Sequence, residues 1–147
     1  MYNKRRINPY VYVRRQKELI ERDFDCFLCK TKGKPGSKQL ECYGVLQPTE
    51  ESEEYIVLIE YDGEKSPSVY VIKPILQLDI DAHMYSDGSL CLYYPDEDPW
   101  RHKKNIADTI IPWTAEWLVY YELYQITGKW LGPYVPHGED KDSLKNN

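Results

Sequence analysis

Strong helix formers surround Val11, Leu19, Ile20 and Phe24 across residues 11–24. This pattern predicts one amphipathic helix following Pro9. The character then changes. Residues 25–31 and 39–46 read as two strands separated by the turn-rich stretch 32–37, in the manner of a hairpin with a long loop. Residues 54–61 are rich in β-branched and aromatic side chains and close on Asp62-Gly63, and residues 68–73 have the same composition and stop at Pro74, which cannot donate to a ladder. Four strands in this order predict an antiparallel meander. From 74 to 104 the periodicity fails, and a stretch that long within one domain points to a functional loop. The last element is a helix entered at Pro112, in an N1-like position, and stopped at Gly128. Its aromatic residues Trp113, Trp117, Tyr120, Tyr121 and Tyr124 fall at helical spacing and read as a packed face. The expected architecture is an α/β (α+β) fold: one domain over residues 1–138 with a disordered tail over 139–147.

Composition changes this picture little. With 147 residues, 41% hydrophobic and 29% charged, the chain is long enough to hold a core without staples. No apolar run approaches the roughly 20 residues that cross a bilayer, and the N-terminus never reaches a signal-peptide core, so no membrane partner and a cytoplasmic setting are expected. A net charge of −5 argues against general nucleic-acid binding. The charge is uneven: Lys4, Arg5, Arg6, Arg14 and Arg15 crowd the first fifteen residues, and Glu50, Glu51, Glu53 and Glu54 cluster in mid-chain. Cys26, Cys29 and Cys42 do not make a zinc site, because three sulfurs fall short of four ligands and Cys26 and Cys29 on one strand point to opposite faces. They are expected to be buried strand cysteines; no metal and no cofactor is expected.

The candidate chemistry lies in the irregular loop, where His83 precedes a turn signal at Asp87-Gly88 and then Ser89-Leu90-Cys91-Leu92. The two leucines can pin the thiol to the core while the turn keeps it reachable. Free cysteine is also among the most buried residue types, so the string alone leaves a structural role open. Asp96 and Asp98 follow Cys91 closely, Trp100 comes nine residues after it, and His102 follows.

The order helix, four-strand meander, loop with His83 and Gly88-Ser89-Leu90-Cys91-Leu92, Trp100 and then a helix resembles ubiquitin-conjugating enzymes. Residues 83–92 together with 112–122 and Gly128-Lys129-Trp130 are similar to the bacterial branch found in CBASS antiphage operons beside a cGAS-like nucleotidyltransferase. The resemblance implies that Cys91 forms a thioester with the C-terminal glycine of a ubiquitin-like protein or of such a nucleotidyltransferase, and passes it to a lysine. It matches His83 to the histidine that opens the eukaryotic His-Pro-Asn motif and Trp100 to the tryptophan beside the active site. Met84 and Tyr85 stand where that motif has proline and asparagine, so the usual oxyanion donor has no counterpart. A backbone N–H near Ser89 to Cys91, the Tyr85 hydroxyl, or nothing takes its place. Losing one such donor can cost about 10²–10³ in rate.

An acceptor lysine of pKa ~10.4 must lose its proton near pH 7, a cost of about 4.6 kcal/mol. Asp96 and Asp98 are candidates to orient or deprotonate that amine. The basic helix with Arg14 and Arg15 corresponds to the one that docks an activating enzyme in eukaryotic relatives, although bacterial members differ in whether one exists. Two other readings remain open: a cysteine hydrolase using Cys91 with His83 or His102, and a catalytically idle adaptor of the same fold.

Overall fold

In the computed structural model, residues 8–34, 38–76, 83–92, 100–101 and 103–132 are described. Helix α1 spans Pro9–Asp23. Asn8 caps it by accepting the Tyr10 N–H at 2.9 Å, and Pro9 occupies the first turn, where a missing N–H costs nothing. Val13, Gln16 and Ile20, spaced three and four apart, form its buried stripe. The exposed pairs Arg14–Glu18 and Lys17–Glu21 add only a few tenths of a kcal/mol each.

Four strands follow: β1 (Phe27–Lys32), β2 (Gln39–Leu46), β3 (Tyr55–Tyr61) and β4 (Ser68–Lys73). They pair antiparallel in sequence order, with a bulge at Ile56/Val57. Side chains alternate strictly in β3, so Tyr55, Val57, Ile59 and Tyr61 face the core. Gly44 in β2 lies opposite Phe27, whose ring fills the space a Cβ would take.

Helix α2 spans Ile110–Thr127 and ends at Gly128, in the left-handed region at φ 74°, whose N–H returns to the Tyr124 carbonyl. Pro112 is the third residue of the helix, not the first; it is tolerated because N–H groups of the first turn have no intrahelical acceptor. Ile110, Ile111, Thr114, Trp117 and Leu118 pack inward. The core joins these to Val13 and Ile20 of α1 and to the inner sheet face.

Three polar clasps tie the layers. Gln16, fully buried, accepts the Ile106 N–H at 2.8 Å and donates to the Lys104 carbonyl at 3.1 Å. Thr109 accepts the Trp100 indole N–H at 2.9 Å and donates to the Asn105 carbonyl. Glu122 of α2 accepts from Ser52 and from the Tyr55 hydroxyl, whose pKa is raised by burial and then by that carboxylate. Among the described residues no helix is long and apolar enough to cross a membrane.

The mixed α/β architecture, the strand order and both helices agree with the sequence pattern. The reading of the strand cysteines is overturned. Cys29 and Cys42 are directly opposite on β1 and β2 and are joined by a disulfide, so they are not free strand thiols. Cys26 precedes β1 and is exposed.

Candidate active site

The loop bearing Cys91 is built from short-range hydrogen bonds. The Tyr85 N–H donates to the Ser89 carbonyl at 2.8 Å and the Gly88 N–H to the Tyr85 carbonyl at 2.9 Å, closing a three-residue connection with Gly88 at φ 90°. This is the usual reason for glycine at the last position of such a turn. Asp87 fastens it from inside, accepting both the Ser89 N–H at 2.8 Å and the Ser89 hydroxyl at 2.6 Å. Those bonds hold its carboxyl below the ordinary carboxylate range. A longer contact from the Tyr70 hydroxyl links the turn to β4. Beyond the turn, Met84 bridges to Leu90, and the Leu90 N–H donates to the Val69 carbonyl of β4 at 2.9 Å.

His83 anchors the start of the loop through its main chain. Its carbonyl accepts the Cys91 N–H at 2.9 Å and the Trp117 indole N–H at 3.3 Å, with His83 itself in the left-handed region at φ 59°. Its ring sits 4.9 Å from that of Trp130, which also packs near Trp117. Helix α2 therefore holds, through Trp117, the carbonyl that also accepts the Cys91 N–H.

Cys91 is 5% exposed, and its thiol donates to the Tyr85 hydroxyl at 3.5 Å. Burial pushes the thiol pKa up, and the Tyr85 hydrogen bond partly opposes this. The expected reachable thiol is thus corrected: the residue is buried, with its sulfur against the Tyr85 hydroxyl. Tyr85, 37% exposed, stands over it. The backbone N–H groups of Ser89, Leu90 and Cys91 already donate to Asp87, Val69 and His83, so none is free to stabilise an oxyanion.

Trp100 is buried, edge-on to Tyr61 at 5.2 Å and hydrogen-bonded to Thr109, in the core and not on a binding surface. Arg14 and Arg15 lie exposed on α1. Asp96, Asp98 and His102, like the 139–147 tail, lie outside the described residues. No group of three or more His, Cys, Asp or Glu among the described residues is placed to hold a metal. Trp117 is core, as its spacing suggested, but its indole bond to the His83 carbonyl was not read from the sequence. A hydrogen bond to a distant main-chain carbonyl leaves no signal in residue type.

A mixed α/β sheet protein with a buried, loop-held thiol beside α2 is what these elements define. The family model for type II CBASS E2 proteins matches residues 16–138. The chain belongs to that family and is an E2-like conjugation protein of CBASS antiphage operons. No curated protein matches it.

Proposed function

We propose that Cys91 is a thioester carrier for the C-terminal glycine of a ubiquitin-like protein or of a cGAS-like nucleotidyltransferase. The observation that carries this reading is the pairing of Cys91 Sγ with the Tyr85 hydroxyl on a loop pinned at both ends. Swinging the exposed Tyr85 side chain aside breaks its hydrogen bond with the thiol and uncovers the sulfur. The thiol proton passes to solvent, and the thiolate attacks the activated glycine carbonyl. A C–S bond forms, and the donor's thiolate or nucleotide leaves. A lysine amine then attacks the same carbon, with Asp96 and Asp98 as candidate orienting groups. The C–N bond forms, the amine proton is lost, and the Cys91 thiolate departs. With the neighbouring N–H groups engaged, Tyr85 is the remaining candidate donor to the tetrahedral oxyanion.

Intact-mass spectrometry after co-expression with the operon's neighbouring genes tests this. The expected result is an adduct equal to a neighbour's mass less water, located on Cys91, released by excess thiol and absent in Cys91→Ala. In Cys91→Ser it persists as an oxyester. Absence of any Cys91 adduct, or one confined to Cys26, overturns the reading. The burial of Cys91 favours a second reading, an idle adaptor, for which Cys91→Ala retains full antiphage protection.

A further inference from the structure

Two hollows flank the segment that leaves β4. One, of about 450 Å³, lies beside the outer side of β3 and β4 and reaches Met84 and Gly88 in the active-site loop. The other, of about 650 Å³, lies between the start of β3 and the C-terminal half of α2. Ile75 and Leu76 form a wall common to both. The surroundings are unusually apolar for a water-facing surface: Ile75 is 93% exposed, and Ile126 and Ile72 on the rims are 81% and 44% exposed. The charged lining is acidic, although Lys32 lies near enough to Glu60 to interact with it and Glu122 already accepts from Ser52 and Tyr55. Glu60 lines the first hollow and Glu51, Glu53 and Glu122 the second, and among the described residues no lysine or arginine lines either.

We infer that this double groove is the docking site for the acceptor protein, receiving an extended segment that combines an apolar anchor with basic residues and carries the lysine to be modified. This rests on the thioester reading above. Apolar walls supply burial for the anchor, and the carboxylates select a cationic segment and repel an acidic one. The location suits delivery. Met84, at the far wall of the first hollow, bridges to Leu90, the residue next to Cys91, so a segment seated there runs alongside the loop that holds the thioester. The acceptor amine attacks the glycine carbonyl, a C–N bond replaces the C–S bond, the amine proton passes to solvent, and the Cys91 thiolate is released.

The test uses the full chain carrying Cys26→Ser. Cys91 is loaded chemically from a fluorescein-labelled, glycine-terminated peptide mercaptoethanesulfonate thioester. Discharge is then followed to free lysine, to a Leu-Arg-Lys-Arg-Leu peptide and to its Leu-Glu-Lys-Glu-Leu counterpart. The basic peptide is expected to discharge the thioester about tenfold faster than the acidic one. Ile75→Asp, at a solvent-exposed position, and the pair Glu53→Lys with Glu60→Lys are expected to bring that ratio near one while loading and discharge to free lysine stay unchanged. A ratio near one in the parent chain, or an unaltered ratio in both variants, overturns the inference. So does impaired loading in the variants, which would assign the groove to the acyl donor. If the parent chain does not load at all, the carrier reading fails instead. The labelled basic peptide is then titrated against the unloaded chain by fluorescence anisotropy; binding weakened by Ile75→Asp supports the groove, and no binding refutes it.

Discussion

Replacing Tyr85 by Phe isolates the hydroxyl that faces Cys91, because the ring that shields the sulfur is retained. A hydrogen bond to a charged acceptor contributes about 1.5–3 kcal/mol. Tyr85 is more than a third exposed, so water competes for the bond and the lower end applies. About 1.4 kcal/mol corresponds to a tenfold change in an equilibrium, so the thiolate population near pH 7.5 should fall about tenfold in Tyr85→Phe. A more basic thiolate is also a better nucleophile, with a Brønsted coefficient of about 0.4–0.5, which returns about threefold of that loss. The net expectation is a roughly three- to fourfold slower reaction of Cys91 with an aromatic disulfide such as dithiodipyridine.

The parent rate should itself climb with pH beyond the ordinary thiol range, because burial raises the Cys91 pKa and the reactive thiolate appears only as pH rises through that raised value. At high pH, where both proteins are fully ionised, the order reverses and Tyr85→Phe becomes the faster. Cys26 must be replaced by serine, since it is the other free thiol. An unchanged or faster reaction near neutrality, or the absence of a crossover, refutes the argument that this hydroxyl stabilises the thiolate.

Gln16→Met keeps the side-chain volume but leaves the Ile106 N–H and the Lys104 carbonyl without their shared partner. It should cost roughly 2–4 kcal/mol in urea denaturation, and a loss below about 1 kcal/mol would show that the clasp is dispensable. The Cys29–Cys42 bond predicts that unfolded protein titrates two thiols without reductant and four with it. Closing a loop of that length limits the stability lost on reduction to roughly 3 kcal/mol, measurable as a shift in denaturation midpoint. Trp117→Phe removes the indole donor to the His83 carbonyl. A lost neutral hydrogen bond of about 1 kcal/mol should make Cys91 label roughly fivefold faster if loosening the loop exposes it, and unchanged labelling would dissociate α2 from the site.

The elements were legible where local chemistry decides them. Alternation in β3, the Asp62-Gly63 turn, Pro74 after β4 and Gly128 after α2 each act through their own backbone or nearest neighbours. Register was not legible. The β1–β2 connection runs from Lys32 to Gln39, and a connection of that length permits several pairings. Only the pairing adopted sets Cys29 against Cys42, which is why they were read as separate buried thiols. In the loop, Asp87-Gly88 correctly marked a turn, but the orientation of Cys91 depends on Val69, His83 and Trp117, drawn from three distant parts of the chain. Trp100 was legible as important, but its contacts were not. Its indole meets Thr109 and Tyr61 inside the fold.

The left-handed backbone at His83 bears on which residues the position tolerates. Two donors converge on one peptide oxygen there, so the placement of the thiol depends on a main-chain shape, while the imidazole packs separately against Trp130. Asparagine and glycine adopt that shape readily. Substitution by either should therefore keep the main-chain bond to Cys91 while giving up the packing of the buried ring against Trp130.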